Sequence, residues 1–158
     1  MEKLRINRKD IYTIEVNDKG DTIEFDLGDI ELPYKFQRAV DKVRSIQNKL
    51  KGKIAIIEKQ QDKKDKNHIL SKNEDAMLKV WKECFSEMRA AMDEFLGVGG
   101  CDKIFGKANY IDMFNDLFDA FNSKDENGLS HLDKMKISRE GMIDRIKQKY
   151  SVKGNNAI

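Results

Sequence analysis

The sequence is poor in the residues that usually announce chemistry: two cysteines, two histidines, one tryptophan and one proline in 158 residues. No apolar run approaches the ~20 residues that cross a bilayer as a helix, and the start MEKLRINRKD lacks the apolar stretch of a secretory signal. These absences exclude a membrane-spanning helix and predict a chain that stays in the cytosol where it is made. Cys84 and Cys101 lie far apart with no CxxC spacing and sit in apolar surroundings. They read as small buried residues rather than a disulfide or a metal pair. His68 and His131 stand in polar stretches without a carboxylate, cysteine or serine at a familiar spacing. Each reads as a solvated side chain, because a general base needs a held geometry. The phosphate-loop pattern GxxxxGK[ST] is absent, and Gly97, Gly99 and Gly100 follow a helix instead of a strand, so they read as helix stops.

What the chain has in quantity is charge. Its 39% hydrophobic content suffices for one core, whereas the 37% charged fraction exceeds the usual quarter and predicts thin helical layers with much exposed surface. The net charge of +2 hides segregation: −4 over residues 1–34, +8 over 35–72, −5 over 73–122 and +3 over 123–158. Such blocks can pair within the fold or between copies. The lysine-rich stretch Lys49 to Lys66 could contact phosphates, yet it holds no aromatic residue to stack on bases and acidic blocks flank it. Nucleic-acid binding is therefore disfavoured.

Taken in order, residues 1–33 predict a β-hairpin arm. Tyr12, Ile14 and Val16 alternate with polar residues, as do Ile23, Phe25 and Leu27, and Asn17 to Asp21 supply a turn in which Gly20 takes positive φ. Glu15, Glu24 and Asp26 form its acidic face. Pro33 is placed to open a long helix carrying Phe36, Val40, Val43, Ile46, Leu50, Ile54 and Ile57 at helical steps, weakened locally at Gly52. The stretch EKQQDKKDKNH has no apolar residue and reads as a helix end running into a mobile loop. Ser71 and Glu74 have capping-box spacing, with Asn73 a competing cap. The helix they open carries a stripe from Met77 through Val80, Trp81, Cys84, Phe85, Met88, Met92 and Phe95 to Leu96, and this stripe holds no catalytic group.

After a short turn at Cys101 to Phe105, Asn109 is placed to cap a third segment with Ile111, Phe114, Leu117, Phe118 and Phe121 on one face and Asp112, Asp116 and Asp119 opposite. The link Ser123 to Gly128 aligns with a calcium loop, but Lys134 falls where that loop requires a bidentate glutamate. It reads as a polar turn. Leu132 to Tyr150 predicts a last amphipathic helix before a frayed tail. The expected fold is mainly α: a small helical bundle with an N-terminal β-hairpin. It is expected as a single domain over 1–158, divided into the arm 1–33, a helical core 34–122 and a C-terminal part 123–158.

One segment is similar to a known family. MDEFLGVGGCDKIFGKANYIDMFNDLFDAF, with its elements Phe95-Leu96-Gly97, Gly99-Gly100-Cys101 and Ile104-Phe105-Gly106 before the acidic-aromatic stretch Tyr110 to Phe121, resembles the core of tail assembly chaperones. These are encoded by long, non-contractile-tailed bacteriophages and prophages of Gram-positive bacteria. The upstream GDTIEFDLGDIELPYKF resembles the N-terminal half of the same proteins; the last helix stands outside the resemblance.

The resemblance implies a non-enzymatic protein of the host cytoplasm, absent from the finished virion and without cofactor or metal. Its role would be to keep the tape-measure protein soluble and to help recruit tail-tube subunits, with self-association between copies and no membrane partner. The contact residues are expected on Phe114, Leu117, Phe118 and Phe121, or on the helix face of Phe36, Val40 and Val43. The competing reading is a structural or regulatory interaction module, such as a minor virion component or a small regulator that binds a partner through the acidic hairpin. An enzyme is disfavoured, since no nucleophile, base and orienter assemble from these residues.

Overall fold

The computed structural model describes residues 1–7, 10–135 and 147–148. It is mainly helical, a small helical bundle with an N-terminal two-stranded hairpin. The elements are β1 (Ile11–Glu15), β2 (Thr22–Asp26), α1 (Leu32–Glu58), α2 (Lys72–Leu96), α3 (Gly100–Phe105), α4 (Met113–Asn122) and α5 (His131–Lys134). They group into two compact units: one from the described residues up to Gln37 and from Asp102 onward, the other from Arg38 to Cys101.

In the first unit, β1 and β2 pair antiparallel with Tyr12 opposite Phe25 and Ile14 opposite Ile23. This register gathers the apolar side chains on one face, where Ile23 and Phe25 are buried. The turn is built by Asn17, whose side-chain oxygen accepts from the N–H groups of Lys19 and Asp21, at 2.9 and 3.2 Å. The start of α1 is set by Asp29, which accepts from the Glu31 and Leu32 N–H groups and holds Lys35 at 2.8 Å. Pro33 sits in the first turn, where its missing N–H leaves no bond unmade.

The third apolar segment starts later than Asn109 suggests. Its helix α4 begins at Met113, after an Asp112 that makes no side-chain cap bond. Ile111 consequently lies outside the helix and is 71% exposed, instead of joining the apolar face. Ser130 and Asp133 form a capping box at the start of α5. Beyond Lys134, most of the expected helix from Leu132 to Tyr150 lies outside the described residues.

In the second unit, α1 and α2 run antiparallel, as the ion pairs Lys42–Glu94 (2.8 Å) and Lys49–Glu87 (3.6 Å) show by their opposite order along the two helices. Helix α1 continues through Gly52 without interruption. Val43 of α1 and Cys84, Met88 and Met92 of α2 are fully enclosed, while Met77, Val80 and Trp81 are half-buried. Both cysteines are free and buried.

Ser71 caps α2 with Glu74 in a two-way capping box. Asn73 takes another role. Its N–H donates to Asp62 Oδ1 and its amide to the Gln60 carbonyl, both at 2.9 Å, tying the polar stretch after α1 back to the start of α2. Helix α2 stops at Gly97, whose φ of 94° suits glycine. The chain then restarts at Gly100, where a Cβ would lie 2.5 Å from the Leu96 Cβ. Only glycine fits so close an approach. The Cys101 N–H is held by Asp93 Oδ1 at 2.8 Å.

Candidate partner-binding surface

The apolar face of α4 follows from its spacing: Met113, Phe114, Leu117 and Phe121 fall on one side and are buried. Their burial is shared with aromatic residues from other elements of the same unit. Phe114 meets Phe105 edge-on at 5.7 Å. Phe121 is a hub, with Phe25 of β2 at 6.2 Å, Phe36 of α1 at 6.2 Å and His131 of α5 at 6.1 Å. Edge and tilted geometries of this kind set the positive ring edge against the negative ring face.

His131 is therefore not the solvated residue that its polar neighbours in sequence suggest. It is half-buried, its Nδ1 lies 2.7 Å from the Tyr12 hydroxyl, and its ring tilts against both Tyr12 and Phe121. Burial lowers its pKa, the nearby Lys134 ammonium lowers it further, and Asp125 opposes them. The imidazole is thus favoured in its neutral form, which keeps one acceptor nitrogen for the phenol. His68 is exposed in the loop after α1, 3.5 Å from Asp65.

Beside this cluster the chain forms a cleft of about 220 Å³ lined by Ile14, Val16, Ile23, Ile104, Leu117 and Phe121, with Glu15 and His131 as its polar members. Drug-sized ligands usually occupy ~300–1,000 Å³. The cleft is smaller, and its aliphatic walls suit an inserted apolar side chain. The link once aligned with a calcium loop is organised around Asp125, which accepts from the N–H groups of Asn127 and Leu129. Its other oxygen is held by Lys134 at 2.7 Å. These bonds lower the Asp125 pKa to about 2, so the carboxylate is charged and its cation is the lysine. Among the described residues no cluster of histidine, cysteine, aspartate or glutamate has the grouping that holds a metal ion, and no helix is long and apolar enough to cross a membrane.

The expected contact residues divide sharply. Val40, Val43, Phe114, Leu117 and Phe121 are buried; Phe36 and Phe118 are half-buried. Leu117 and Phe121 reach the cleft, and Phe36 packs on Phe121. Val40 and Val43 belong to the unit of residues 38–101. A partner reaches Val40, Val43 and Phe114 only if the core opens, whereas Leu117 and Phe121 are met at the cleft. Tyr12, Ile104 and His131 were not expected at this place. The alternation of β1 and β2 marks Ile14 and Ile23 as inward-facing, but no spacing connects them with α4. Comparison with protein-family models, curated proteins and solved structures finds no match for this chain.

Proposed function

We propose that this chain is a tail assembly chaperone of a long-tailed bacteriophage or prophage of Gram-positive bacteria. It is a non-enzymatic binding protein of the host cytoplasm that keeps the tape-measure protein soluble, helps recruit tail-tube subunits and is left out of the finished virion. The observation that carries this reading is the way the resembling segment folds. Its glycine elements are helix ends, with α2 stopped at Gly97 and α3 closed by the Gly106 N–H on the Asp102 carbonyl, and its acidic-aromatic stretch is helical from Met113, with Phe114, Leu117 and Phe121 inside and Asp116 and Asp119 outside. Also in favour is an apolar cleft sized for side chains of a helical client, the way amphipathic helices seat their anchors in grooves.

Half-exposed Phe118 and the cleft-lining Leu117 supply the client contact in this scheme. Co-expression with the long helical tape-measure protein tests it: the client stays soluble with this chain and aggregates without it. Equal aggregation in both cases overturns the function. Phe118→Asp should lower client recovery while circular dichroism stays unchanged; unchanged recovery removes α4 from the contact. Retention of the chain in purified particles would favour a virion component instead.

A further inference from the structure

Two exposed surfaces of opposite charge remain after every described contact is assigned. The first is the outward face of the β-hairpin. There Thr13 pairs with Glu24 and Glu15 with Thr22, so the two carboxylates are diagonal neighbours with threonines between them. Both are exposed, as is Asp18 in the turn, and none of the three forms an ion pair among the described residues. Lys103, the cation that reaches this ribbon, donates to the Thr22 carbonyl at 3.2 Å. Like charges placed this way on one face repel. An exposed aliphatic side chain, Ile11 at 42%, shares the face.

The second surface is the connected end of the α1–α2 pair. Lys51, Lys59, Lys63, Lys64 and Lys66 are exposed there and form no ion pair among the described residues. Most local acids are engaged elsewhere: Asp62 accepts from the Asn73 and Lys63 N–H groups, Glu74 closes the capping box, Asp75 holds Lys79 and Asp65 lies 3.5 Å from His68, which leaves exposed Glu58 among the lysines. Ile56 and Ile69, 63% and 90% exposed, stand among these lysines.

We propose that the hairpin face of one copy binds the lysine-rich helix end of a second copy. Each surface carries exposed aliphatic side chains beside its charges, and the charges are complementary, a combination that suits a protein interface. Because the two surfaces differ, the contact is heterologous and adds copies head to tail, closing a ring or running on as an open chain. A nucleic acid would engage the lysines and leave the acidic ribbon unused; a second copy satisfies both. This gives surfaces to the self-association between copies that the family resemblance implies, and it rests on the chaperone reading in that respect.

Charge exchange between copies is the test. One variant carries Glu15→Lys and Glu24→Lys, the other Lys59→Glu, Lys63→Glu and Lys66→Glu, all at exposed positions whose folding circular dichroism checks. Light scattering on the unmodified protein should show concentration-dependent growth that weakens as salt screens the charges. Each variant alone should associate about tenfold more weakly or worse. Mixed together, the two should recover association, since each now offers what the other lacks. Association of the wild type with no recovery in the mixture overturns these surfaces. A wild type that stays monomeric at low salt overturns the self-association too, and client solubility in co-expression, read separately, then shows whether the chaperone reading survives. Binding of a duplex DNA probe by the hairpin variant but not the lysine variant, without self-association, would replace the second copy with nucleic acid.

Discussion

The unit of residues 38–101 and the unit built on the hairpin and α4 are held together in different ways. The first consists of long helices whose interior is aliphatic and sulfur-rich, with Val43, Cys84, Met88 and Met92 enclosed, and whose ends are fixed locally by the Ser71 box and the Asn73–Asp62 tie. The second is assembled from short pieces, two five-residue strands and a ten-residue helix. Pieces of that length are marginal alone. They persist because β2, α1, α4 and α5 all send a ring to Phe121 or supply it. Local signals therefore stabilise one unit, and a single long-range cluster stabilises the other.

The largest effect should come from removing the hub. Phe121→Ala leaves a cavity and should cost about 3–5 kcal/mol in urea unfolding, with amide exchange protection lost first in β1 and β2. Unaltered protection in those strands would break the contrast between the units. A glycine pair sharpens it next. Gly100→Ala forces a Cβ against Leu96 and should destabilise by about 1–3 kcal/mol. Gly52→Ala lies within α1 with open space around it and should stabilise by about 0.5–1 kcal/mol. The same sign for both would mean that close approach at residue 100 is not what glycine provides there.

How legible each unit was in sequence follows the same division. The capping box at Ser71, the helix through Leu50 and Ile57 and the stop at Gly97 are signalled within a few residues, and so were readable. The hairpin and its inward face were readable too, because strict alternation puts Ile23 and Phe25 on one side. What could not be read was contact across long separations. Tyr12 and His131 are 119 positions apart, and nothing near His131 says that an aromatic ring will cover it. The α4 start was misplaced for a related reason: Asn109 is a good cap by type, but helical geometry begins only at Met113, leaving Ile111 outside. The candidate cleft, made from β1, β2, α3, α4 and α5, was legible only as separate apolar faces. Its membership depends on tertiary packing.

A smaller effect tests the local character of the unit of residues 38–101. Ser71→Ala removes the acceptor for the Glu74 N–H and should cost about 1 kcal/mol. Faster exchange should be confined to the first turn of α2 and the stretch tied by Asp62. Loosening along the whole helix would show that the cap governs more than its own end.

The smallest effect separates the units by pH. In the unit of residues 38–101, the capping and ion-pair carboxylates Asp62, Glu74 and Glu94 have lowered pKa values, chiefly through hydrogen bonds. Their stabilising contribution is present above the unfolded carboxylate range near ~4 and is lost as pH falls below it. Asp125 and Asp133 behave likewise in the hairpin unit, which adds His131. Its folded pKa lies below the ordinary 6.5, so the unfolded chain binds the proton more readily. The His131 contribution is complete above pH ~7 and declines as pH falls through 6.5 toward the lower folded value. Half-burial keeps the change small. Unfolding midpoints should therefore decline as pH falls from 7 through 6.5 in the wild type, and His131→Asn should flatten that decline while leaving the acid limb in place. A decline that survives the substitution would assign the neutral-pH response to another group and leave the Tyr12–His131 bond without a titration signature.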